Sequence, residues 1–556
     1  MAEQKNLSPI EKIKTASDAL RGTLKDSLLD ELTGAVREHD HALVKFHGMY
    51  EQDDRDLREE RAQQKLDKLY SFMIRLRIPG GFITPEQWIA AHHVAGNYTT
   101  GVIKITTRQT IQLHGILKRN IKPTLQAFDT VKLDSIAACG DVNRNVIASS
   151  HPSISPLHKH IHDYASKISD AFLPKTRAYY EVWLDEEVLL DKKQEEDPLY
   201  QDRYLPRKFK IAVAIPPNND VDVFANDLGL IAIIENEKLV GFNLAVGGGL
   251  SSTHGNPANY ARIGTVIGYV PEEKLMQAAY EVITVQRDFG NRSDRKLARL
   301  KYTVDKMGVD SFREELEKRC GFKLEPAKPF QFTERRDHYG WEQGADGQWH
   351  YTLFVENGRV LDDEKLAMKT AMLKVAETGK ANFRFTANQN LIISDIAPEN
   401  KAAIEAVLTE FGLIEHTEKA SEIRKNAVAC VALNTCPLAL AEAQRYLPTL
   451  ISKLEPLLEK HGLLQEEIHV RMTGCPNGCG RSPLAEIGFI GTAYGRYNMH
   501  LGGDRLGERL NVKYKENIEE ETILAELDQL FGLYKAERNP GEPFGDFTIR
   551  KGLVVA

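Results

Sequence analysis

Six cysteines in 556 residues are too few for a disulfide-built scaffold, and four of them fall between positions 430 and 479. Sparse thiols clustered late in a chain point to metal ligation rather than cross-linking. No apolar run approaches the roughly 20 residues that span a bilayer, which excludes a helical membrane protein. The opening stretch, MAEQKNLSPIEKIKTASDAL, has neither an apolar export core nor a small-residue cleavage pattern, so a cytoplasmic location is expected. Neither G-x-G-x-x-G nor a Walker pattern occurs; the glycines at 247–249 are followed by LSSTHG and lack the fingerprint spacing. A redox centre here would therefore need electrons from a partner. Net positive charge is lacking too: 72 basic residues stand against 79 acidic ones, a balance of −7. That argues against a general nucleic-acid binder and confines any anion site to a local patch.

What is present suits a soluble chain of three or four domains, with 42% hydrophobic and 27% charged residues. Residues 1–64 are charge-rich, and EQDDRDLREERAQQKLDKL alternates in sign as exposed helices do. They are expected to form a solvated arm or partner-docking segment, or simply a solvated helix face. From Tyr70 the pattern changes. SFMIRLRIPGG reads as a strand stopped by Pro79, Gly80 and Gly81, and TPEQWIAAHHVAG as a capped helix. The stretch 102–116 reads as one strand with Lys104, Thr106, Arg108, Thr110, Gln112 and His114 on a single face. A wholly polar face is usually solvated; one carrying two cations, Gln and His also suits a polar cofactor.

The chain repeats itself. FRFTANQNLIIS (383–394) aligns without gaps to IKITTRQTIQLH (103–114), and RYNMHLGGD (496–504) to GFNLAVGGG (241–249). Matching LGLIAI (228–233) to IGFIGT (487–492) sets Pro216 on Cys475 and Asp220 on Cys479, so one half keeps cysteines that the other lacks. The expected fold is mixed α+β: two pseudo-twofold halves, each a ferredoxin-like unit (65–137; 327–415) followed by a larger α/β domain (138–326; 416–556).

Cys430 and Cys436 are spaced C-x5-C, and Cys475 and Cys479 C-x3-C. Four thiolates suit zinc or an iron-sulfur cluster. Structural zinc favours tight C-x2-C knuckles, whereas these wider spacings fit ligands on different irons. Gly474, Gly478 and Gly480 are expected to let backbone approach a bulky group. Cys139 and Cys320 read as buried structural thiols. Basic residues gather at Arg75 and Arg77, at Arg144, and at Arg207, Lys208 and Lys210, with the two lysines on one strand face. Ordinarily solvated, they read beside a metal motif as a cationic pocket for a small anion.

TGCPNGCGR with the upstream C-x5-CP resembles the signature of the sulfite and nitrite reductase family. The likeness extends through FHGMYEQDDRD, TTRQTIQLHGI, NRNV, LPRKFK, VGGGLS, RYNMHLGG and FGDFTIR. The resemblance implies a 4Fe-4S cluster on Cys430, Cys436, Cys475 and Cys479, with Cys479 bridging to sirohaem. It implies Arg75, Arg144, Lys208 and Lys210 around the substrate anion, and Lys104, Arg108, Gln112, His114, Arg207 and Asn477 against the sirohaem carboxylates. The implied reaction is six-electron reduction of sulfite to sulfide, with electrons from an NADPH-dependent flavoprotein subunit docking on residues 1–64. The alternatives are a ferredoxin-dependent sulfite or nitrite reductase, or a zinc-stabilised, non-redox anion-binding protein. Tyr70 and Cys139, each five residues before a pocket arginine, are expected to be neighbours, either simply packed or covalently linked as the resemblance to some ferredoxin-dependent relatives implies.

Overall fold

The computed structural model describes residues 7–151, 156–186 and 197–555. Its backbone is four five-stranded sheets that fall into two matching pairs.

The first sheet runs Met49–Asp53, Tyr70–Arg75, Ile111–Ile116, Ile103–Ile105 and Arg359–Val360; its counterpart runs Gly340–Gln343, Trp349–Leu353, Leu391–Ile396, Asn382–Phe385 and Phe82–Ile83. Both are antiparallel ferredoxin-like sheets, and each takes its last strand from the other half. A tight approach permits the exchange. Gly81, at φ 79°, lies so near the other half that an added Cβ would sit 2.6 Å from the Phe385 carbonyl oxygen. At Gly358, φ 68°, the same atom would sit 2.3 Å from that of Ile105. The helix Pro85–Tyr98 follows the first exchanged strand, opened by a capping box between Thr84 and Gln87. Its Trp88 stacks on Phe383 of the second sheet at 4.7 Å.

The other two sheets share one topology. Ile147–Ala148, Ile211–Ala214 and Leu228–Glu235 run parallel, then Lys238–Val246 and Thr265–Pro271 antiparallel; Ala427–Ala429, Val470–Thr473, Ile487–Ala493, Arg496–Leu501 and Val512–Ile518 repeat the arrangement. The registers match: Ala148 faces Val213 as Ala429 faces Met472. Ser149 is thereby equivalent to Cys430, and Asp220 to Cys479. The internal duplication expected from the sequence is present.

Three local expectations differ. Residues 102–116 form a hairpin, because Gln109 takes a left-handed turn conformation and Lys104 pairs back onto Gln112. The parity reading survives for Lys104, Gln112 and His114, while Arg108 sits at the tip. Lys208 and Lys210 precede the strand Ile211–Ala214 rather than lying in it. Residues 7–64 are no solvated arm: Leu20, Leu24, Leu43, Val44, Phe46 and Met49 join the main core, and Met49–Asp53 is a strand of the first sheet, so a boundary at 64 cuts through that unit. Only the helix Arg58–Gln63 keeps no buried residue. Residues 1–6 of the expected docking segment lie outside the described residues.

Candidate functional site

The parallel pairing of Ala427–Ala429 with Val470–Thr473 sets the loops that follow both strands side by side, and Cys430 N donates to Met472 O at 3.2 Å. All four thiols of these loops act on one another. Burial pushes Cys430 well above the ordinary thiol value, Cys436 upward and Cys475 up to about 12, and the charge of Cys479 adds to each shift. Cys430, Cys436 and Cys475 therefore hold their protons until a cation replaces them, while Cys479 is exposed. Gly474 N donates to Cys430 Sγ at 3.4 Å and Asn477 Nδ2 to Cys475 Sγ at 3.5 Å, contacts that favour thiolate. Among the described residues, no three of these sulfurs lie mutually within 4.8 Å. A single zinc with bonds of about 2.3 Å would draw them closer than that, so their spread suits a polynuclear cluster. Gly474, Gly478 and Gly480 serve another purpose than expected: an added Cβ would meet protein backbone, at Ala441 O, Leu250 O and Met472 O, within 2.5, 2.8 and 2.5 Å.

The cysteine loops are buttressed from the first half. Arg55 donates to Cys436 O at 3.2 Å and to Ala439 O at 2.6 Å, Asn434 Nδ2 donates to Asp54 Oδ1 at 2.8 Å, and Thr107 Oγ1 to Cys479 O at 3.2 Å. Ser252 N, in the loop after the glycines at 247–249, donates to Pro476 O at 2.8 Å. Arg55 and Asp54 were not singled out by spacing; their partners lie some 380 residues away, and no local pattern reports such a contact.

Beside Cys479 lies a cationic pocket. Arg75 is held by two hydrogen bonds to Gln112 Oε1, at 2.8 and 3.2 Å, and one to Cys139 Sγ at 3.0 Å. Arg144, buried, donates to Ala138 O at 2.9 Å and Gly140 O at 3.4 Å. Among the described residues neither arginine meets a carboxylate at ion-pair distance, and the side chains of Lys208 and Lys210 find no hydrogen-bond or ion-pair partner. Burial, then Arg207, pulls Lys208 down to about 7; burial and Lys208 hold Lys210 well below the ordinary lysine value. The charge of Cys479 acts on both lysines in the opposite sense. Four cations crowded together, Arg144 buried and the other three half-buried, are costly without a partner unless an anion binds among them.

The remaining expected contacts surround this pocket. Gln112 Nε2 lies 3.3 Å from His114 Nε2, and His114 Nδ1 lies 3.0 Å from Gln52 Oε1 and 3.3 Å from Thr435 Oγ1, beside Cys436. Burial, then Arg75, takes the His114 imidazole down to about 3, so it is neutral. Lys104, lowered to about 7 by burial, donates to Asn357 O. Arg108 is spent on protein acceptors: Asn145 O at 2.5 Å, Asn226 Oδ1 at 2.8 Å and Ile211 O at 2.9 Å. Arg207, lowered to about 10 by burial and Arg295, stands 3.9 Å from buried Asp141. Asp141 also binds Arg295 at 2.7 Å and Lys14 at 3.5 Å, which ties the helix Pro9–Thr15 to the pocket wall. Tyr70 does not neighbour Cys139. Five residues of strand span about 17 Å, and Tyr70 sits at the far end among Asp67, Glu51 and Asp53. The tyrosine beside Cys139 and Arg144 is Tyr50. A cavity of about 1140 Å³ lined by Tyr200, Tyr260, Arg287 and Tyr302 shares no residue with this site.

Two family models match the chain: "Nitrite and sulphite reductase 4Fe-4S domain" over residues 164–324, and "Nitrite/Sulfite reductase ferredoxin-like half domain" over 63–131 and again over 342–411. The chain is similar to the sulfite reductase (NADPH) hemoprotein beta-component of Leptospira biflexa, 62% identical over 554 residues and 100% of both chains. It is similar to the protein of the same description from Staphylococcus haemolyticus, 53% identical over 99% of this chain and 96% of the relative. Among solved structures, the Mycobacterium tuberculosis NirA protein superposes with a TM-score of 0.81 at 25% identity, covering 99% of this chain and 97% of the other.

Proposed function

This chain belongs to the nitrite and sulfite reductase family, and we propose that it is the haemoprotein component of an NADPH-dependent sulfite reductase, reducing sulfite by six electrons to sulfide. An iron-sulfur cluster and a haem-type cofactor belong to that function; sirohaem is the haem we assign, with the cluster on Cys430, Cys436, Cys475 and Cys479. The observation that carries the reading is the pocket of Arg75, Arg144, Lys208 and Lys210, cations without carboxylate partners among the described residues, with the two lysines within electrostatic reach of Cys479. The haem and cluster, when bound, supply single-electron transfer and a metal for the sulfur atom.

The protein's own side chains do the rest. The guanidinium groups of Arg75 and Arg144 are fixed by Gln112, Cys139 and backbone carbonyls, so they hold the anion without reorganising. Lys208, titrating near neutrality, is matched to donating protons to oxygens that leave as water, three in all, each taking two protons. Neutral His114 and Gln112 keep Arg75 oriented.

We assign Lys104, Gln112, His114, Arg207 and Asn477 to the haem carboxylates and their surroundings, and Arg108 to fixing the hairpin tip beside them. A flavoprotein subunit as electron donor, and a cytoplasmic location, belong to the same proposal. Docking is assigned to the exposed part of residues 7–64, where Leu29 and Leu32 are 80% and 98% exposed. The test is the absorption spectrum with iron and acid-labile sulfide analysis, followed by sulfite reduction from a chemical donor. About five irons per chain and sulfide production are expected; a colourless, zinc-loaded protein overturns the reading.

A further inference from the structure

The duplication leaves a second cofactor position whose residues have changed character. In place of Cys430 and Cys479 stand Ser149 and Asp220, joined by a 2.7 Å hydrogen bond from Ser149 Oγ to Asp220 Oδ1. Facing them, the second half supplies the counterparts of the anion pocket. The strand registers put Glu467 and His469 where the first half has Lys208 and Lys210. They put Glu342, paired with His350, where Tyr50 pairs with Met73. The lysine pair of the anion pocket is thereby replaced by an acid and an imidazole, and Arg75 by Thr352.

We propose that at this position His151, His338 and Glu342 form a binding site for a divalent cation of the zinc class. Their donor atoms all lie within 4.8 Å of one another, and among the described residues they are the one trio of metal-ligating side chains that do. His151 Nε2 is 3.1 Å from Glu342 Oε2, already near the separation of two ligands on a tetrahedral ion with bonds of about 2.0–2.1 Å. The two imidazoles meet at 4.8 Å between centroids, 69° apart, so small side-chain rotations complete the set. Two imidazoles and a carboxylate suit zinc and its neighbours and leave a fourth position for water.

The surroundings favour a cation. The carboxylates of Asp220 and Asp337 act on His151 from the protein side, and Glu334 lies 3.1 Å from His338 Nε2 as a further carboxylate that can orient that ring. His151 is buried while His338 and Glu342 are half-exposed, so an ion can enter from solvent and be shielded once bound. His151 comes from the first half, His338 and Glu342 from the second. The ion would pin the halves together opposite the true cofactor site.

The experiment uses the holoenzyme, washed with a chelator and titrated calorimetrically with zinc alone. One zinc per chain is expected beyond the iron, with nitrogen and oxygen scattering and imidazole signatures in its X-ray absorption. His338→Ala and Glu342→Gln should each weaken binding at least tenfold while leaving iron content and the visible spectrum unchanged, which verifies that the variants fold. The proposal fails if the wild type takes up no zinc, if both variants bind it equally well, or if the scattering shows sulfur at about 2.3 Å, the mark of zinc on the cysteines. The readout does not depend on catalysis, so its failure and the failure of the sulfite reductase reading are separate events.

Discussion

Asp222 and Arg481 occupy equivalent positions in the two halves, both in left-handed backbone with φ of 49° and 58°, and meet in a buried ion pair with Arg481 Nη1 2.7 Å from Asp222 Oδ2. Only residues next to the pseudo-twofold axis can touch their own counterpart, so the pair marks that axis. Arg471 and Arg335 converge on the same carboxylate at 2.6 and 3.3 Å. Arg481 also donates to Thr107 O, whose residue in turn holds Cys479 O.

Asp222→Asn should leave three buried guanidiniums on a neutral amide, at a cost of about 3–5 kcal/mol. Burial opposes the Asp222 charge, yet Arg471, Arg335 and Arg481 together hold its carboxyl below the usual range. A depressed folded value means that this stability is present above the unfolded value of about 3.9 and is lost as pH falls below it. The gap between denaturant melts of wild type and variant should therefore narrow progressively as pH falls below that value, and a gap unchanged between about pH 5 and pH 2 would contradict the account.

Cys436→Ser should remove labile sulfide and most cluster iron, whereas Cys320→Ser, at a buried thiol on the helix Val309–Cys320 outside both cysteine loops, should leave both unchanged. Chemical analysis of the purified variants decides it.

Arg55→Ala removes two charge-assisted hydrogen bonds from the loop carrying Cys436, each worth about 1.5–3 kcal/mol. Iron loss to a chelator should accelerate about tenfold or more, and Arg55→Lys should restore part of the difference. Equal loss rates would show that the loop needs no buttress.

Lys208 loses its proton as pH rises through about 7, because burial and Arg207 depress it. Inhibition by sulfate, an oxyanion that does not titrate there, should weaken above that pH by up to about tenfold per unit if one proton is taken up with the anion. Lys208→Met should flatten the profile and lower affinity about ten- to a hundredfold.

Leu29→Glu with Leu32→Glu should lower NADPH-driven activity in the presence of a flavoprotein donor and leave activity from a small chemical donor intact. Equal losses in both assays would place the effect on folding rather than on docking.

The duplication and the cysteine set were legible because each rests on residue identity at fixed spacing. The hairpin at 102–116 was misread as one strand because Gln109, with no glycine beside it, takes the left-handed turn. Tyr50 was overlooked in favour of Tyr70 because its place depends on which residue it faces across the sheet, Met73, which sequence distance does not report. The core role of residues 20–49 was hidden by the charge-rich stretch that follows them. The second-site trio carries no local spacing signal because its members come from opposite halves, His338 lying 187 positions beyond His151 along the chain.

The exchanged strands Phe82–Ile83 and Arg359–Val360 have the geometry of a domain-swapped dimer fused into one polypeptide. A chain cut between the halves would yield two fragments, each missing an edge strand and offering the one the other lacks, so they should refold only as a complementing pair. Such interlocking makes the scaffold indifferent to what each half binds, and an ancestor with two equal centres could surrender one to drift without coming apart.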